Sequence, residues 1–173
     1  AVARLAATHP GLRCVLATLP ARAREVRVLT HDWPTPLAIE DDPPRRFDAY
    51  ARADLALAAS GTVGLELALA RLPTVVLYRT SPLTAALARR LIRVPHVSLL
   101  NLIAGREVVP ELLQERCTGG DLAAVADRLL DDQAAWHAQV DALDEIARAL
   151  GAGGEAPSRR AAAAVAALFD TNP

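Results

Sequence analysis

With 173 residues, 52% of them hydrophobic, and a mean hydropathy of +0.19, the chain is one domain's worth of protein, long enough to bury a core and alanine-rich enough to be dominated by helix. A net charge of -1, basic residues that are all arginine, and aromatics at 3% leave neither the positive footprint nor the stacking platforms that nucleic acid requires. Apolar runs stay below the roughly 18 residues of a membrane span and no signal-peptide pattern opens the sequence, so membrane contact is expected to be peripheral.

The chain begins without Met inside a helical pattern, "AVARLAATHPG", and its natural beginning is expected to lie upstream. Ala1–His9 reads as a helix end closed by Pro10 and Gly11, and "RCVLATL" (Arg13–Leu19) as a short buried strand. The pattern returns to helix in "ARAREVRVLTHDW". A second strand, "PLAIEDD" (Pro36–Asp42), is broken by Pro43 and Pro44, and "RRFDAYARA" predicts a short amphipathic helix. "DLALAAS" (Asp54–Ser60) is the third strand, "TVGLELALARL" a helix and "PTVVLYR" (Pro73–Arg79) the fourth strand. Next come a helix, "PLTAALARRLIR", a fifth strand around "HVSLL" (His96–Leu100) and a loop, "NLIAGREVVP". From Gly119 onward the strands stop and three helical segments follow, the last beyond a glycine-rich linker, "GAGGEAP".

Strands alternating with helices predict an α/β chain: a Rossmann-like parallel sheet with helices on both faces and a helical C-terminal tail. In such a sheet ligands bind outside the carboxyl ends of the strands, and two polar clusters follow predicted strands. Ser60, Gly61 and Thr62 open the helix after the third strand, where backbone N–H groups and the helix dipole suit a phosphate. Glu66, one turn on, offers a carboxylate that could accept from a ribose diol. The same residue types also fit ordinary helix capping, by Ser or Thr at the N-cap with Glu inside the first turn. The second cluster, Asn101, Gly105, Arg106 and Glu107, combines an amide, a glycine and a guanidinium suited to a diphosphate and a sugar, or else forms a solvated polar loop. Tyr78 and Arg79 end the fourth strand. Arg89, Arg90 and Arg93, beside Leu87, Leu91 and Ile92, stud a helix that is either a solvated face or a patch resting on anionic lipid.

The remaining chemistry is sparse. Cys14 and Cys117 lack a CxxC spacing and read as two reduced, partly buried thiols of a cytoplasmic protein. His9, His31, His96 and His137 are scattered without metal-ligand spacing, so no metal site is predicted; Asp41 and Asp42 fit a turn before Pro43. No Ser/His/Asp arrangement, GxGxxG or P-loop pattern occurs.

One stretch carries a resemblance. "SGTVGLELALARLPTVVLYRTSPLTAALARRLIRVPHVSLLNLIAGREVVPELLQERCTGGDLAAV" resembles the C-terminal half of the lipid-A-disaccharide synthase family, through an ordered set of motifs. These are SGT followed by Glu66, then P-x-V-V-x-Y-R, L-A-x-R-L, V-S-L-x-N-L-x-A-G-R-E and E-L-L-Q-E. Ala1–Asp54 agrees only in layout, and Leu100 stands where the family pattern suggests proline.

The resemblance implies half of a GT-B fold, two Rossmann-like domains facing across a cleft. Residues 1–150 would be an incomplete UDP-sugar-binding domain lacking its first, central strand and a glycine-serine-arginine phosphate loop. Residues 151–173 would be a linker and a helix returning to an N-terminal domain that supplies the acceptor pocket and the general base. The implied reaction transfers 2,3-diacylglucosamine from UDP-2,3-diacylglucosamine to 2,3-diacylglucosamine 1-phosphate, by inversion and with neither metal nor cofactor. The fragment alone would be inactive, and the enzyme would be cytoplasmic, as a peripheral protein on the cytoplasmic face of the inner membrane. Glu66 would hold the ribose, Ser60, Gly61 and Thr62 the phosphate side, and Asn101, Gly105, Arg106 and Glu107 the diphosphate and sugar. Two other readings remain: another UDP-sugar enzyme of the same fold, such as an epimerase or a cell-wall glycosyltransferase, and a non-catalytic truncated module.

Overall fold

A computed structural model describes residues 1–82, 84–85 and 94–170. In chain order the elements are α1 (Val2–Thr8), β1 (Cys14–Ala17), a 3-10 turn (Pro20–Arg22), α2 (Ala23–Leu29), β2 (Leu37–Glu40), α3 (Arg45–Tyr50), β3 (Ala56–Ala59), α4 (Val63–Leu69) and β4 (Thr74–Tyr78). Then follow α5 (Leu99–Ala104), β5 (Glu111–Leu113), a second 3-10 turn (Gln114–Arg116), α6 (Gly119–Asp131), α7 (Gln133–Ala149) and α8 (Pro157–Asp170). Every strand pair is parallel, as the alternation of strand and helix predicts. The arginine-bearing stretch with Arg89, Arg90 and Arg93 lies outside the described residues.

The strands form two sheets, β1–β2 and β3–β4–β5, which share no ladder among the described residues. β4 is the central strand of the larger one. Its residues Thr74, Val75 and Val76 are all buried, the unbroken apolar run of a strand covered on both faces. Val75 packs with Leu112 and Leu129 against α6, whereas Val76 packs with Ala68, Leu100, Val109, Leu143 and Ile146 between α4, α5 and α7. Successive side chains of one strand thus build two separate cores, one per face.

β1 departs from expectation. It pairs only with β2, and Val15 is 51% exposed, so the strand expected to be buried is half-buried. The reason is topological: with one ladder partner it is an edge strand, and both its free edge and part of its side-chain face meet solvent. Helix α1 connects this region to the rest by packing Leu5 against Ala123 and Ala126 of α6. Thr8 and His9 extend that contact to Asp127, whose Oδ1 lies 3.0 Å from Thr8 Oγ1 and 2.8 Å from His9 Nε2.

The expected fifth strand around "HVSLL" is absent, and the segment is a helix start instead. Ser98 takes extended backbone angles and its Oγ accepts from the Leu100 N–H at 3.1 Å, so α5 begins at Leu99 and absorbs the first half of the predicted loop. The apolar run misled because Leu100 is fully buried in the core beneath α4, a burial that strand and buried helix satisfy alike. The fifth strand lies further on, in Glu111–Leu113, paired with Val76–Tyr78.

Helix α4 ends in a Schellman motif. The Leu72 N–H donates to Leu67 O and the Arg71 N–H to Ala68 O, with Arg71 at φ 55 in the left-handed region and Leu67 packed with Leu72. At the other end of the helix, Gly64 faces Leu100, and a methyl group built on it would sit 3.5 Å from Leu100 Cγ, an ordinary contact. Gly64→Ala is therefore expected to stabilise the fold by roughly 0.5–1 kcal/mol, from helix propensity alone. A urea titration of both proteins checks it; a loss of stability would mean that α4 and α5 pack more tightly than the structure has them.

Candidate functional site

The carboxyl ends of β3 and β4 bring together one predicted cluster. The Ser60 N–H donates to Leu77 O at 3.2 Å, which continues the β3–β4 ladder one residue past the strand and sets the elbow against the end of β4. Gly61 has open space where a side chain would stand, and Thr62 leads directly into α4. Tyr78 and Arg79 are exposed at the end of the adjacent strand. Ser60, Gly61, Thr62, Tyr78 and Arg79 therefore share one rim.

The capping alternative for this elbow is not realised. Thr62 occupies the N-cap position of α4 but makes no side-chain cap bond, and the Ser60 hydroxyl donates away from the helix, to Val97 O at 3.1 Å. Glu66 does not reach back to the N-cap either. Its Oε1 accepts from Arg46 Nη2 at 2.9 Å, and the Tyr50 hydroxyl lies close to the same carboxylate. Burial, and next the Glu66 charge, push the Tyr50 phenol above its ordinary range, against the lowering pull of Arg46. Both partners come from α3, and the pattern of the sequence pointed to neither. The only local signal was the amphipathic "RRFDAYARA", which places Arg46 and Tyr50 four residues apart on one helix face.

The second cluster is divided. Asn101 is fully buried and its amide is saturated: Oδ1 accepts from the Val108 and Val109 N–H groups at 2.8 and 2.9 Å, while Nδ2 donates to Val109 O at 2.9 Å and to Glu111 Oε1 at 2.7 Å. Glu111 in turn accepts from the N–H groups of Val97 at 3.0 Å and Ser98 at 2.9 Å. These two side chains staple the segment before α5, the helix itself and the segment before β5 to one another. Gly105, at φ 64, closes α5 in the left-handed conformation, and Arg106 and Glu107 follow on the amino side of β5. Arg106 reaches Glu145 of α7 at 3.5 Å, an exposed pair. Gly105, Arg106 and Glu107 thus stand at the far end of α5 from Val97 and Ser60, and the fold does not bring them to the rim.

Gln114 does come to the rim. It follows β5 at φ 49, a left-handed backbone uncommon for a non-glycine residue, and its side-chain oxygen faces the Thr80 N–H at 3.4 Å. The "E-L-L-Q-E" run contained the signal, but only the register of β5 against β4 puts Gln114 beside Thr80.

Elsewhere, a cavity of about 430 Å³ lined by His9, Asp54, Leu130, Gln133, Trp136 and His137 opens at the amino end of β3, the end opposite the Ser60 rim. The structure also gathers His9, Asp127 and Asp131, whose ligand-type atoms lie within 4.8 Å of one another, a proximity that the scattered histidines did not reveal. Asp127 Oδ1 is engaged by Thr8 and His9 there. Cys14 and Cys117 are free and half-buried, and burial pushes the Cys14 thiol up.

The sequence model of the Lipid-A-disaccharide synthetase family matches residues 1–165. The chain belongs to this family. Its fold is accordingly the Rossmann-like half of a GT-B architecture with a helical C-terminal segment, and the family's members are glycosyltransferases of lipid A biosynthesis. The synthetase match includes the first 54 residues, where the motifs alone showed agreement only in layout.

The chain is similar to the lipid-A-disaccharide synthase of Rhodospirillum centenum, 48% identical over 161 residues that make up 93% of this chain and 40% of that protein. It is similar also to the lipid-A-disaccharide synthases of Gluconobacter oxydans, 42% identical over 166 residues (94% and 39%), and Pseudomonas aeruginosa, 43% identical over 149 residues (85% and 38%). The chain thus spans about two fifths of the length of these curated relatives. Among the described residues, no helix is long and apolar enough to cross a membrane.

Proposed function

We propose that this chain is the donor-binding portion of an inverting glycosyltransferase that moves 2,3-diacylglucosamine from UDP-2,3-diacylglucosamine to 2,3-diacylglucosamine 1-phosphate, releasing UDP and lipid A disaccharide 1-phosphate. Family membership over residues 1–165 supports the reaction class. One observation carries the location: Glu66 stands in the first turn of α4 with its carboxylate bonded by Arg46 and beside Tyr50, free of any capping duty. In this reading Glu66 accepts from the ribose hydroxyls. The N–H groups of Gly61 and Thr62 face the diphosphate, Ser60 stands at the same turn on the phosphate side, and Arg79 supplies the positive charge that stabilises the departing UDP without metal or cofactor. Tyr78 offers an aromatic face at the same rim. Asn101 acts indirectly, by shaping the segment that touches Ser60, and Gly105, Arg106 and Glu107 are left outside the nucleotide contact.

The acceptor pocket and the general base are assigned to the part of the family beyond the matched region, so residues 1–173 alone are expected to lack activity. Residues 151–173 are assigned to a linker and a helix that docks on that further domain. Ser158–Ala167 are exposed throughout, in keeping with a helix whose cover lies elsewhere. The enzyme is placed on the cytoplasmic face of the inner membrane, held peripherally by anionic lipid.

The test is UDP binding by calorimetry to the complete polypeptide that carries this chain. Glu66→Ala is expected to weaken binding about tenfold or more, the worth of a charge-assisted hydrogen bond, and Arg106→Ala to change it less than threefold. Equal loss in both variants would place Arg106 in the cradle as well. Folded protein that does not bind UDP would remove the reading.

A further inference from the structure

Glu66 meets residues twenty and sixteen positions upstream, in the connection from β2 to β3, and the arrangement is more elaborate than an ion pair between two helices needs. Arg46 Nη2 donates to Glu66 Oε1 at 2.9 Å with both side chains about 30% exposed. The guanidinium carbon lies 5.1 Å from the Phe47 ring centre, a cation–π contact, and Phe47 meets Tyr50 edge-on at 5.8 Å. The Tyr50 hydroxyl stands beside the same carboxylate, close enough for each to feel the other's charge. Arg46 Nε, by contrast, is buried without a hydrogen-bond partner among the described residues. A buried N–H left unpaired costs free energy, and a simple staple between helices would gain from a rotamer that pairs it.

An ionised carboxylate has about four lone-pair sites. Arg46 occupies one of them and Tyr50 stands beside a second, which leaves two, the number that a vicinal diol fills with its two hydroxyl donors. A free glutamate would lose up to about 2 kcal/mol of side-chain entropy on gripping such a diol, a loss already taken when the carboxylate is held in advance. We propose that Arg46 and Tyr50 are positioning residues of the nucleotide-sugar site, which hold the Glu66 carboxylate in the one orientation that accepts both ribose hydroxyls. This rests on the reading of Glu66 given above and adds to it the residues that set its selectivity for a ribonucleotide.

The test compares UDP with 2′-deoxy-UDP, by calorimetry on the complete polypeptide, because the ratio of the two affinities reports the diol alone. The wild-type protein is expected to prefer UDP by about tenfold or more, as a site built around a hydrogen bond does. Arg46→Ala and Tyr50→Phe are each expected to bring the ratio to within about threefold of unity, with 2′-deoxy-UDP affinity little changed, and Arg46→Lys to recover part of it. A loss of fold stability alone would lower both affinities together and leave the ratio where it was. If Glu66→Ala abolishes the preference while Arg46→Ala and Tyr50→Phe keep it, the positioning role is overturned and the ribose reading stands. If Glu66→Ala itself keeps the preference, the ribose reading falls and the positioning role with it. Should Arg46→Ala fail to fold, Tyr50→Phe, which removes one hydroxyl from a half-buried ring, decides alone.

Discussion

Asn101→Ala is expected to destabilise the folded chain by about 3–5 kcal/mol, because it leaves several buried backbone groups without partners at once. The Val108 and Val109 N–H groups and the Val109 carbonyl all bond to this one amide, which is fully buried. Asn101→Asp separates the parts of that effect. It keeps an oxygen for the two N–H groups but removes the donor to Val109 O and sets a second carboxylate against Glu111, which Asn101 Nδ2 contacts at 2.7 Å. Its cost should therefore be larger at neutral pH than in mild acid, where either carboxylate can take a proton and relieve the repulsion. Urea unfolding of the three proteins at two pH values measures both effects. A loss of less than about 1 kcal/mol in Asn101→Ala would show that water replaces the amide and that the segment before β5 is solvated, contrary to the geometry.

The second large effect lies in the core behind the site. Leu143 of α7 is fully buried among Ala68, Val76, Leu100, Val109 and Ile146, so that one side chain joins α7 to α4, β4 and α5. Leu143→Ala is expected to cost about 3–4 kcal/mol, the transfer free energy of the lost carbons together with the cavity they leave. Leu69→Ala is the matched control: the same chemical change at a position 56% exposed on α4 should cost under about 1 kcal/mol. Equal losses in the two, read from denaturant midpoints at constant slope, would mean that α7 is not docked on the sheet. The measurement matters for the site because α4 carries Glu66, and α7 supports that helix from behind.

Why some of this was legible beforehand follows from what kind of signal each element sent. The strands from Asp54 to Arg79 announced themselves because β4 is covered on both faces and reads as an unbroken apolar run between a proline and an exposed tyrosine. "HVSLL" sent the same signal for a different reason. Leu100 is buried in a helix, and over five residues burial by helix and burial by strand look alike. β5 was missed because it has only three residues, Glu111–Leu113, of which the first is a carboxylate turned to bond the N–H groups of Val97 and Ser98.

The candidate site divided along the same line. By itself the sequence determined the α/β alternation, the placement of Ser60, Gly61, Thr62 and Glu66 just beyond a strand, and the ordered motifs of the family, all of which rest on local periodicity and spacing. Only the tertiary structure decided that Asn101 turns inward and is saturated, that Arg106 reaches α7 and not the rim, that Gln114 joins the rim, and that Glu66 is bonded by Arg46 and stands beside Tyr50. The physical reason is common to these cases: a polar side chain's role depends on which donors and acceptors surround it. In a parallel sheet those partners arrive by crossovers from segments many residues away, which no local pattern in the chain encodes.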